Sequence, residues 1–109
     1  MSKPIDLVHG TLDLLILKIL TLEPMHGWRL SQRLKQMSED VLQVGPGSLY
    51  PALHKLEQEG WISAEWSISE TRRRVKFYSL TKEARKQLRQ QTADWERLAG
   101  AITLIVRTA

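Results

Sequence analysis

Hydroxyl, imidazole and ammonium groups gather in one stretch, GPGSLYPALHKLEQEG, residues 45–60. Ser48 and Tyr50 bring hydroxyls, His54 an imidazole and Lys55 an ammonium, with Pro51 among them. Catalysis does not fit these groups. Ser48 stands where helix caps stand, and no glycine-flanked nucleophile elbow surrounds it. The chain carries no phosphate loop, no catalytic carboxylate pair and no Ser/His/Asp arrangement. His9, His26 and His54 are far apart and lack the spacing of a metal site. With no cysteine, there is no thiolate ligand, disulfide or sulfur nucleophile. The expectation is therefore a protein that binds rather than catalyses, with no cofactor and no metal.

The same stretch reads as a helix. Leu49, Leu53 and Leu56 recur at spacings of four and three, one apolar stripe that must face a core. Two starts are open. Pro46 suits a first helical position and Ser48 a cap, and Pro51 favours the later one. Gly60 is the expected C′ residue. Ser48, Pro51, His54, Lys55 and Gln58 take the outer side, with Tyr50 at its edge. A helix whose first half is small, polar and mildly basic fits a major groove and offers free N–H groups to phosphates. It equally fits the surface of a small α-rich domain, and this stretch alone does not separate the two.

The 109 residues suffice for one domain with one modest core. No apolar run reaches the roughly 18–20 residues of a membrane span, and the first ten residues lack a secretory layout. A cytoplasmic location, away from membranes, is the default expectation. The net charge of +4 is unevenly spread. Residues 72–89 carry eight basic side chains against Glu83 alone, a local +7 that leaves −3 elsewhere. A basic block on a near-neutral body suggests a polyanion partner.

Five elements must position these groups. Thr11 to Leu22 is a helix apolar nearly all round, stopped by Glu23-Pro24. Part of it, with Leu15 and Ile19, is expected to face a second subunit. A helix of about ten residues follows Met25-His26-Gly27 and ends near Met37, with Leu30, Leu34 and Met37 as its stripe. Val41–Val44 reads as a short strand or extended connector, and the helix described above comes next. Beyond Gly60, Trp61–Trp66 and Arg72–Leu80 read as a hairpin across a polar loop, in which Trp61 and Trp66 are expected to pack on the body. Strand alternation would turn Arg73 away from Arg72 and Arg74. From Thr81, a good cap, a long helix runs to about Arg107. Leu88, Trp95, Leu98, Ile102 and Ile105 form a stripe that nothing later in the chain can cover, which points to dimerisation. The fold class expected is mainly α with a small β-hairpin: a winged helix-turn-helix over 1–80 and a C-terminal dimerisation helix over 81–109, forming one compact unit.

Four segments carry a resemblance: LEPMHGWRL (22–30), GSLYPALHKLEQEGWI (47–62), RRRVKFYSLTKEAR (72–85) and the last helix. Together they resemble the PadR family of transcriptional regulators over nearly the whole chain. The pairing of the second segment with the third is the specific part. The single C-terminal helix is similar to the family's short branch, and the opening and the VLQV segment to its acidobacterial-type group.

The resemblance implies a homodimeric winged-helix protein that binds a double-stranded DNA operator, usually as a repressor of a nearby gene. On the family's pattern Ser48, Tyr50, Pro51 and His54 lie at the DNA surface with Lys55 beside them. The two hydroxyls would meet phosphates, and His54 or Lys55 base edges or phosphates. Arg72, Arg73, Arg74 and Lys76 fall in the matching wing. His26-Gly27 matches the family's turn into the second helix, a structural role. Trp95 would be an interface residue. In some family members flat apolar effectors bind at the dimer centre, which makes Trp95 a candidate effector contact. The alternative is a winged-helix adaptor that binds protein without reading DNA; it would have little use for the +7 segment.

Overall fold

The computed structural model describes residues 5–6 and 11–109. The lead-in expected over 1–10, with His9, lies outside the described residues except at 5–6. In chain order the elements are β1 (Ile5–Asp6), α1 (Thr11–Ile19), α2 (Gly27–Met37), β2 (Leu42–Gln43), α3 (Pro46–Gln58), β3 (Ile62–Ile68), β4 (Arg74–Leu80) and α4 (Lys82–Thr108). This is a winged helix-turn-helix carrying one long C-terminal helix. Among the described residues, no helix is long and apolar enough to cross a membrane.

Helix α1 ends at Ile19, three residues before the expected stop. The chain tightens there, Thr21 N–H bonding to Lys18 O at 3.2 Å and Leu22 N–H to Ile19 O at 3.0 Å. Its apolar faces find more cover within the chain than composition suggested. Ile16, Leu17 and Leu20 are buried, and so is Ile19 at 5% exposure. Ile19 thus belongs to the chain's own core, which corrects its assignment to a subunit interface; Leu15 is half-buried against that core.

Helix α2 starts on His26, whose Nδ1 accepts the Arg29 N–H at 3.3 Å. It buries Leu30 and Leu34 but leaves Met37 exposed. Asp40 N–H bonds to Lys35 O and Glu39 N–H to Gln36 O, the paired bonds of a Schellman stop made here with a positive φ at Glu39 rather than at a glycine. The Ser38 hydroxyl accepts the Leu42 N–H at 2.9 Å, and the Ser31 hydroxyl donates to Val44 O at 3.1 Å. These bonds fix the connector, whose β2 pairs in parallel with β1.

Strands β3 and β4 are antiparallel, in register from Ile62 opposite Leu80 to Ile68 opposite Arg74. Met25 exchanges both backbone bonds with Tyr78, so the hairpin root is tied to the α1–α2 connector. Thr81 caps α4 by accepting the Ala84 N–H, and its hydroxyl donates to Gly60 O at 2.8 Å. Ala84 and Leu88 then enter the core. Leu88, 6% exposed, is a second correction to the expected interface set.

Candidate nucleic-acid interface

Helix α3 begins at Pro46, with Gly45 as its N-cap, so the earlier of the two expected starts is the one used. Pro46 at the first position has its φ already set for a helix. Pro51 consequently lies beyond the first turn, where its missing N–H leaves the Gly47 carbonyl without its usual donor. The end is as the sequence suggested. Gly60 takes φ +82°, Trp61 N–H bonds to Leu56 O at 2.9 Å, and Gly60 N–H to Glu57 O at 3.1 Å.

Leu49, Leu53 and Leu56 are buried, which turns Ser48, Tyr50, Pro51 and His54 outward, all exposed. Tyr50 is seated on α2. A Cβ added at Gly27 would come within 2.8 Å of its Cε1 and 2.9 Å of its hydroxyl oxygen. Only glycine lets the phenol lie across the first residue of α2, half exposed, with its hydroxyl at that helix end. The role of His26-Gly27 is thus structural: one caps α2, the other makes room for Tyr50.

Lys55 also makes a contact outside α3. Its Nζ lies 2.9 Å from Asp13 Oδ2 on α1. The hydrogen bond and charge of Asp13 hold the ammonium above its ordinary value. The side chain is exposed, as His54 is, and its ammonium reaches α1. Lys55 and Asp13 together line a cleft of about 450 Å³ between α1, the end of α3 and α4, with Trp61, Asp94 and Trp95 also on its walls.

The wing separates its four cations. Arg72 and Arg73 lie in the turn rather than on a strand, so alternation does not govern them; Arg72 has φ +61°. The turn closes through Ser69, which bonds to Arg73 O and accepts from Arg72 N–H and Arg73 N–H. Arg74 opens β4, its guanidinium carbon 4.7 Å from the Trp66 ring centroid. Lys76 Nζ reaches Glu57 of α3 at 3.4 Å and so ties the wing to that helix. Among the described residues, Arg72, Arg73 and Arg74 take part in no ion pair. Trp61 packs against the core, but Trp66 is 57% exposed and does not, contrary to expectation.

The basic block is divided between two elements. Arg72 to Lys76 belong to the wing turn and the start of β4, whereas Lys82, Arg85, Lys86 and Arg89 lie on α4, past the end of that strand at Leu80. Sequence reasoning missed the aromatic beside the wing cations. The signal available was a tryptophan on a two-stranded hairpin with too little body beneath it.

Residues 16–90 match the transcriptional regulator PadR-like family. A transcriptional regulator of Mycobacterium tuberculosis is 36% identical over 78 residues, covering 72% of this chain and 69% of that protein. The structure of a Streptococcus mutans protein superposes with a TM-score of 0.80 at 30% identity, covering 99% of this chain and 95% of that one. A transcriptional regulator from Clostridium thermocellum gives 0.79 at 27% identity, covering 89% and 91%.

Proposed function

This chain belongs to the PadR-like family of transcriptional regulators, and from that premise we propose that it binds DNA sequence-specifically as a homodimer and represses a nearby gene. One observation carries the reading. The outer face of α3, with Ser48, Tyr50, Pro51 and His54, is joined by the Lys76–Glu57 contact to a wing whose three arginines form no ion pair among the described residues. Cations not neutralised by neighbouring acids are the groups that displace counterions from phosphates. Ser48 and Tyr50 are the phosphate contacts in this reading and His54 the base-edge contact. Lys55 serves to dock α3 on α1.

The homodimer reading rests on α4. Trp95, Leu98, Ile102 and Ile105 are exposed at spacings of three and four, with Leu104 and Val106 exposed beside them. Each is already partly covered, so burying the rest would return roughly 1–1.5 kcal/mol apiece. A second copy laid along the helix supplies that cover, residues 81–109 then forming the dimerisation element and 1–80 the DNA-binding one. Trp95 borders the cleft that reaches Lys55, which supports its role as an effector contact for a small apolar molecule at the interface. Function in the cytoplasm follows from this reading.

The test is a fluorescence anisotropy titration of the duplex upstream of the protein's own gene over a salt series. Affinity is expected to fall linearly on a log–log plot, by about 0.9 per phosphate neutralised. Salt-independent binding, or no binding, would overturn the reading.

A further inference from the structure

We propose that Trp66 is a positioning residue for DNA binding: its indole shelves the Arg74 guanidinium and so fixes where the wing presents that cation. The proposal rests on the DNA-binding reading above.

Trp66 lies in β3 directly opposite Lys76, with Arg74 one diagonal step along β4 on the same face. More than half of the indole is in water, so apolar burial does not explain a tryptophan here. Two cations approach it instead, Arg74 at 4.7 Å and Lys76 at 5.9 Å from the ring centroid. They are not equivalent. Lys76 is also held by Glu57, so its charge is largely answered within the protein and it serves as a strut to α3. Arg74 has no carboxylate partner among the described residues, and its one specific contact is the ring.

That contact suits a phosphate. A guanidinium laid on an aromatic face keeps its N–H donors in its own plane, with the outer edge open to a bidentate anion. A flexible cation on an exposed strand would otherwise sample many rotamers and lose that freedom on binding DNA. The indole restricts them beforehand. Ile68, exposed and opposite Arg74, completes an apolar rim beside the cation. The partner is the duplex bound by α3, because the Lys76–Glu57 contact joins this wing face to that helix.

A double-mutant cycle on the full-length protein tests this, again by anisotropy with the upstream duplex. Trp66→Leu is expected to weaken binding about two- to fivefold, the worth of an exposed cation–π contact. In an Arg74→Gln background the same change should have no further effect, because the group it positions is gone. Trp66→Phe, which keeps an aromatic face, should recover most of the affinity. Absence of binding by the wild type would remove the DNA-binding reading and this proposal with it. If the wild type binds but Trp66→Leu is neutral, or costs the same in both backgrounds, only the proposal falls.

Discussion

Arg72 shows how much a single residue in this molecule is asked to tolerate. At φ +61° it occupies the left-handed region, which costs a residue with a Cβ roughly 1–2 kcal/mol. Glycine would remove that strain, yet an exposed cation stands there, in no ion pair among the described residues. A local rule broken at a candidate site is the pattern expected where function outweighs stability. Arg72→Gly should therefore raise stability by about 0.5–1 kcal/mol in urea denaturation, a little of the strain relief being offset by glycine's looser unfolded chain. In the salt series it should weaken DNA binding and flatten the slope by about one. A destabilised variant with unchanged binding would contradict that view. Residues differed in how legible they were. Tyr50 and His54 could be placed from helical spacing alone, since the leucine stripe dictates what turns outward. Lys55 could not, because its partner Asp13 is 42 residues away and nothing local records the encounter. Arg72 was assigned to a strand because its neighbours are β-prone; the Ser69 hydroxyl that closes the turn carries too weak a signal to override them.

Elements were most legible where a backbone requirement has a residue-type signature. Gly60 marks the end of α3 because a positive φ there favours glycine, and Thr81 marks the start of α4 because its hydroxyl answers an orphan N–H. Of the two starts left open for α3, Pro51 favoured the later, and the helix instead takes the earlier and tolerates one absent bond at Gly47 O. Strand β4 has its own device. Tyr78 is buried on the strand and shares both its backbone groups with Met25, joining wing root to helical body. Burial first, then the nearby charge of Glu57, pushes its phenol above the ordinary value of 10.0. The fold thus favours the neutral phenol. That stability is fully present below about pH 10 and is lost as pH rises through the raised folded value. Urea midpoints measured from pH 8 to 11.5 should fall at the alkaline end, and Tyr78→Phe should flatten part of that fall. An identical decline in the variant would place its origin elsewhere.

The whole molecule measures 53 × 37 × 21 Å with a radius of gyration of 15.1 Å, above the roughly 13 Å of a compact chain of this length. The excess belongs to α4, whose residues from 100 onward are all exposed. The uncovered stripe of α4 was legible in the sequence, and Trp95, Leu98, Ile102 and Ile105 are exposed. The apolar surface of α1 is covered further than composition could say, since Ile19 is buried in its own domain, as is Leu88 at the start of α4. The basic block misled in another way. Its eight cations are contiguous in sequence, but a strand carries the chain away between the wing and α4, so only half of them serve the wing. In the proposed dimer, two wings and two copies of α3 are related by a twofold axis through paired α4 helices. Hydroxyl-radical footprinting of the purified protein on the DNA upstream of its own gene tests this most directly. Two symmetric patches of protection about one helical turn apart, roughly 34–36 Å, are expected. A single patch, or none at concentrations where the protein is dimeric, would contradict it.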